Sequence, residues 1–123
     1  MATHEDIEHY LIQLGLPYET VNNNMWVVRE AANIVITYDS PLVIFRAKLM
    51  DIPHKNREAF FKLLLELNAT HMIHGAYGLE DDSVVLIDTL QAENLDYNEF
   101  QATLDAMILS LTQDYQILNP FRE

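Results

Sequence analysis

Phe60-Phe-Lys-Leu-Leu-Leu-Glu-Leu-Asn-Ala-Thr-His-Met-Ile-His-Gly-Ala-Tyr-Gly-Leu79, continued by Glu80-Asp-Asp-Ser-Val-Val-Leu-Ile-Asp-Thr-Leu90, is the stretch whose reading decides the fold. Its first part predicts a helix from about Asn56 to Asn68. Phe60, Phe61, Leu63, Leu64, Leu65 and Leu67 are apolar almost all the way round it, so this helix needs burial on more than one side. Either two layers sandwich it or part of it lies in a subunit interface. The second part predicts two strands, Met72–Leu79 and Ser83–Leu90, joined by the acidic turn Glu80-Asp-Asp82.

Upstream, Thr3 can cap a first helix whose Ile7, Tyr10, Leu11 and Leu14 recur at helical spacing. Gly15 stands where a left-handed residue closes a helix, and Pro17 bars continuation. Three strand-like runs follow: Met25–Glu30, Asn33–Tyr38 and Leu42–Met50. The last places Val43, Phe45, Ala47 and Leu49 on one face, and Leu42, Ile44, Arg46, Lys48 and Met50 on the other. One clean apolar face and one mixed face suit an antiparallel sheet that helices cover on a single side. Downstream, Asp96 can cap a last helix, with Glu99 at N3 and Leu95 and Phe100 set for a hydrophobic staple. Its apolar stripe runs Phe100, Leu104, Met107, Ile108, Leu111, Tyr115 and Leu118, and Pro120 ends it. The expected architecture is α+β, in the order α-β-β-β-α-β-β-α, with an antiparallel sheet packed against helices. Residues 1–123 are expected to form one domain.

Half of the 123 residues are hydrophobic and 21% are charged, a composition that can bury a core. Seven basic and nineteen acidic residues give a formal charge of −12. That field opposes nucleic acid and anionic membrane surfaces and favours basic partners. The excess is uneven: between His54 and Asn68 lie Lys55, Arg57 and Lys62 against only Glu58 and Glu66. Lys62 and Glu66 interrupt the longest apolar run, so no membrane span is expected. No basic and apolar leader opens the sequence, and there is no cysteine; both favour a cytoplasmic setting.

No reading of the residues yields a catalytic centre. Ser40 precedes a proline, Ser83 follows an acidic turn and Ser110 lies inside the last helix, none in a nucleophile elbow. His71 and His74 are the best metal pair, but three residues apart on a strand they point to opposite faces. Glu80-Asp-Asp82 lacks the spacing and the glycine of a calcium loop. Gly75-Ala-Tyr-Gly78 has neither the lysine of a phosphate loop nor basic flanks for RNA. Glycine there permits a bend, a bulge or the close approach of another backbone. Neither enzyme activity nor a metal or cofactor is expected.

The pattern Leu65-Glu-Leu67-Asn68, then Gly75 to Leu79, then Val84-Val-Leu-Ile87 and Leu90, then Leu95-Asp96 through Glu99-Phe100, resembles the type III secretion chaperone superfamily. That CesT/Tir-chaperone-like group includes the related YbjN-type sensory-transduction regulators. The resemblance is clearest from Phe60 to Leu111, and the order of elements extends it over the chain. It implies a non-enzymatic cytoplasmic homodimer that holds an extended segment of another protein. The central helix and the Met72–Leu90 hairpin are then expected to serve assembly, and the first helix and the open sheet face to serve peptide binding. Candidate surface residues are Phe61, Leu64, Ile73 and Tyr77, with Trp26 or Val27, Ile34 or Val35, and Ile44 on the sheet. Regulation of a signalling partner through the same surface is the alternative reading.

Overall fold

The computed structural model describes residues 1–72 and 74–123. Helix α1 (His4–Leu14) is followed by strands β1 (Tyr18–Asn22), β2 (Met25–Glu30), β3 (Ala32–Asp39) and β4 (Leu42–Asp51). Helix α2 (Arg57–Thr70), strands β5 (Ala76–Glu80) and β6 (Ser83–Gln91), helix α3 (Tyr97–Leu118) and a short 3-10 turn (Asn119–Phe121) complete it. The expected α+β order stands, with one further strand, β1, at the edge. Four of the five residues of β1 are exposed, so no apolar alternation marks it in the sequence.

The caps at Thr3 and Asp96 and the stop at Gly15 operate as read. Thr3 and Asp6 form a reciprocal capping box at α1, and Gly15 ends that helix with φ +73°. Asp96 accepts the Glu99 N–H at 2.8 Å at the start of α3.

All strand pairings are antiparallel, and the sheet order is β1-β2-β3-β4-β6-β5. Register puts Trp26, Ile36 and Phe45 side by side on one face, and Ile34, Ala47, Leu86 and Tyr77 in the next row. These side chains share a single core cluster with Ile7 and Leu11 of α1, Phe60, Leu64 and Leu67 of α2, and Phe100, Leu104, Met107 and Leu111 of α3. All three helices therefore lie on one face of the sheet.

The register shifts in two places, between Thr20 and Asn22 in the edge strand β1 and between Lys48 and Met50 in β4; the second bears on the core. The bulge in β4 makes Leu49 the extra residue and swings Met50 onto the core face, where it is buried. The simple alternation had put Met50 on the opposite face; one inserted residue reverses everything after it.

The α2–β5 junction is tied by Asn68. Its side-chain amide accepts the Tyr77 N–H at 2.7 Å and donates to the Tyr77 carbonyl at 3.1 Å. It thus pairs with the outer edge of β5 as a neighbouring strand would. Helix α2 accordingly runs on past Asn68 to Thr70, and β5 begins only at Ala76. Gly75, at φ +79°, is required here: a Cβ would sit 2.6 Å from the Ile87 carbonyl oxygen. Asn68→Ala leaves both Tyr77 backbone groups without their partner and is expected to destabilise by about 1–3 kcal/mol. Faster hydrogen exchange of the Tyr77 amide, relative to the Leu86 amide, is the local readout.

Candidate functional site

The sheet face opposite the helices carries its own apolar set. In register across it run Val27, Val35, Arg46, Ile87 and Ala76, flanked by Met25, Thr37, Ile44 and Thr89 and by Lys48, Val85 and Gly78. Val27, Val35, Ile44 and Ile87 are half-buried, yet they lie outside the core cluster, and Val85 is buried without joining it. Two ion pairs flank this face, Arg29–Glu19 at 2.5 Å and Lys48–Asp51 at 2.6 Å, and a third, Arg46–Glu80, lies within it, Arg46 standing between Val35 and Ile87. Three of the seven basic side chains thus stand on this one face. The pairs are solvent-exposed and contribute little to stability; they shape the surface rather than hold the fold.

This settles the alternatives left open by the strand sequences. Val27, Val35 and Ile44 belong to the open face. Trp26 and Ile34 belong to the helix-covered face and are fully buried, so they offer nothing to a partner. Pleat parity decides this, because neighbouring residues on a strand face opposite ways.

On α2 the expected apolar surround divides in two. Phe60, Leu64 and Leu67 face the core, while Leu65 is 68% exposed. Phe61 is half-buried, its ring tilted against that of Phe60 and covered by the Arg57 guanidinium at 5.5 Å from its ring centre. Leu64 and Tyr77 are core residues, not surface ones. Ile73 lies outside the described residues. The outward apolar residue of β5 is Leu79, 53% exposed. Leu65 and Leu79 therefore stand on two packed, neighbouring elements with their side chains in water.

Beneath this surface sits a polar group that the strand and helix patterns did not reveal. The Tyr77 hydroxyl donates to Asp114 Oδ2 at 2.6 Å, and His71 Nδ1 stands 3.5 Å from Oδ1. Asp114 is 1% exposed. Burial, and then the adjoining Asp114 carboxyl, hold the Tyr77 phenol protonated far above its ordinary range. In the sequence, Asp114 is the acidic residue three positions after Leu111 on the apolar stripe of α3, and that misfit is the signal that could have found it. Tyr115, assigned to that stripe, is instead exposed.

His71 is paired with α3 rather than with His74, and the described residues contain no group of three His, Cys, Asp or Glu able to hold a metal ion. Among the described residues no helix is long and apolar enough to cross a membrane. What the arrangement can do chemically is bury apolar side chains of another chain.

Solved structures share this fold. A chain of the heterodimeric ExoU–SpcU complex of the Pseudomonas aeruginosa type III secretion system is similar at 19% identity and TM-score 0.70, covering 95% of this chain and 98% of its own. YbjN from E. coli is similar at 13% identity and TM-score 0.66, with 90% of each chain covered. The Yersinia pestis secretion chaperone SycH, solved with a fragment of YscM2, gives 14% identity and TM-score 0.65, covering 90% of this chain and 98% of that structure's chain. No curated protein matches the sequence. The CesT_Tir_1 family model matches residues 1–122, nearly the whole length, and the chain belongs to that family.

Proposed function

We propose that this protein is a non-enzymatic, single-domain binding module, a chaperone-like cytoplasmic homodimer that holds an extended or partly unfolded segment of another protein. The observation that carries the reading is the open sheet face, where Val27, Val35, Ile44 and Ile87 lie outside the core with no helix over them. Rows of apolar side chains spaced by the pleat suit a segment that offers apolar side chains at every second position. The family and the fold agree with it: SycH and the ExoU–SpcU complex are solved with protein partners bound. The −12 charge favours a partner that is not itself strongly acidic on this side. Regulation of a signalling partner would use the same face, and the likeness to YbjN supports that second reading.

The test separates capture from folding. Val35→Glu/Ile44→Glu places two carboxylates on the open face and away from the core. It is expected to weaken binding of a permanently unfolded probe that is not acidic, reduced and carboxamidomethylated ribonuclease A, at least about tenfold. The melting temperature should stay near that of the wild type. Undiminished binding would remove the open face from the mechanism.

Assembly is assigned to the exposed side of α2 and β5, through Phe61, Leu65 and Leu79. Light scattering is expected to give a mass near twice 14.3 kDa at micromolar concentration, and Leu65→Lys to return the monomer. A wild-type monomer throughout that range would end the dimer assignment.

A further inference from the structure

Beyond α3, three residues fold back against the connection between β4 and α2. Phe121 sets its ring edge-on to Phe60, with centroids 5.3 Å apart. Arg122 lies over the Tyr115 ring at 4.6 Å and bonds its hydroxyl. The Glu123 carboxylate accepts the His54 N–H at 2.9 and 3.0 Å and the Lys55 N–H at 3.1 Å, and lies 2.8 Å from His54 Nδ1. Beside this contact is a cavity of about 640 Å³, lined on one side by Leu49, Met50, Ile52 and Pro53 and on the other by Phe121 to Glu123.

We propose that the β4–α2 connection is a receptor for a partner segment carrying an aromatic side chain two residues before a carboxylate, and that Phe121–Glu123 fills it in cis as a built-in competitor. Two consecutive backbone N–H groups converge on a single carboxylate, a concave donor arrangement that recognises anions without relying on side-chain rotamers. That carboxylate is seated in the structure, so the chemistry of the occupant is on view. The His54 amide and then its ring hold the Glu123 carboxyl below its usual range, as an anion site should. Charge supplies a second argument. Lys55, Arg57 and Lys62 face only Glu58 between His54 and Lys62, a net-positive stretch of a strongly acidic chain. An acidic segment is drawn there against the repulsion of the chain's net charge. The receptor is separate from the open sheet face and does not rest on the reading given for it.

A tethered segment competes at an effective concentration of order millimolar, so a free peptide meets a blocked site in the wild type. The probe is a fluorescent, end-blocked Asn-Pro-Phe-Arg-Glu peptide, read by anisotropy against the full-length protein. Phe121→Ala/Glu123→Gln is expected to bind it at least about tenfold more tightly than the wild type, with Glu123→Gln alone in between. Peptide addition should shift the His54 and Lys55 amide resonances, and a peptide with glutamine for its glutamate should lose most of the affinity. Equal affinity for the wild type and Glu123→Gln, or no binding to either variant, overturns the proposal. Glu123→Gln touches no core contact and keeps the test valid if the double variant unfolds. Capture of the unfolded probe by the sheet face should be unchanged in both variants, so the two sites fail separately.

Discussion

Leu64→Asp is expected to abolish cooperative folding. Leu64 is 5% exposed and faces the sheet from α2 within the single core cluster. Its removal loses about 2–3 kcal/mol of apolar burial. The introduced carboxylate enters an apolar core cluster, and burying it unpaired adds several kcal/mol more. A domain of this size has about 5–15 kcal/mol in total. Far-UV circular dichroism should show no sharp thermal transition. Leu65→Lys, one residue along and 68% exposed, should melt close to the wild type apart from any effect of losing the dimer. Similar melting of the two variants would mean that the faces of α2 are assigned wrongly.

Tyr77→Phe is expected to cost about 2–4 kcal/mol, more than a single surface hydrogen bond. The hydroxyl it removes is the donor to Asp114 Oδ2, and Oδ1 has no hydrogen-bond partner in range. His71 stands at 3.5 Å from Oδ1 and is half exposed, so it screens the group only weakly. Asp114 would then be buried with both oxygens unsatisfied. The control is a double-mutant cycle with Asp114→Leu. If the loss comes from an orphaned buried carboxyl, Tyr77→Phe/Asp114→Leu should recover most of the stability lost in Tyr77→Phe. Additive losses in the two single variants would show that the phenol and the carboxyl are not coupled. The cluster joins β5 to α3, while Asn68 joins β5 to α2, so the edge strand beside the proposed dimer surface is fixed from two helices.

Much of the site was half-legible. The sequence of β2 to β4 says that an apolar face exists on each side of the sheet, because Trp26 and Val27, and Ile34 and Val35, are adjacent apolar pairs. It does not say which member of each pair the helices cover. That choice depends on where α1, α2 and α3 pack, and the three helix stripes do not specify it. The bulge at Leu49 shows the same limit: one extra residue changes the parity of Met50, and no residue type announces it. His71 looked like half of a metal pair because spacing alone was available; in three dimensions its partner is 43 positions away, at Asp114. The contact of Glu123 with His54 and Lys55 is equally invisible in the order of residues.

The sequence by itself determined the three helices and every strand but the exposed edge strand β1, and most of their limits, the α2–β5 junction apart. Thr3, Gly15, Asp96 and Pro120 act on backbone groups within a turn of themselves, and periods of 2 and 3.6 are properties of a single element. It also determined the class: strands of mixed face beside strongly apolar helices can be satisfied only by a sheet covered on one side. Only the tertiary structure decided which side is open, which leucines of α2 are left in water, and that Asp114 can be buried. Each of those is settled by a contact between residues far apart in the chain, and its free energy exists only once both elements are in place.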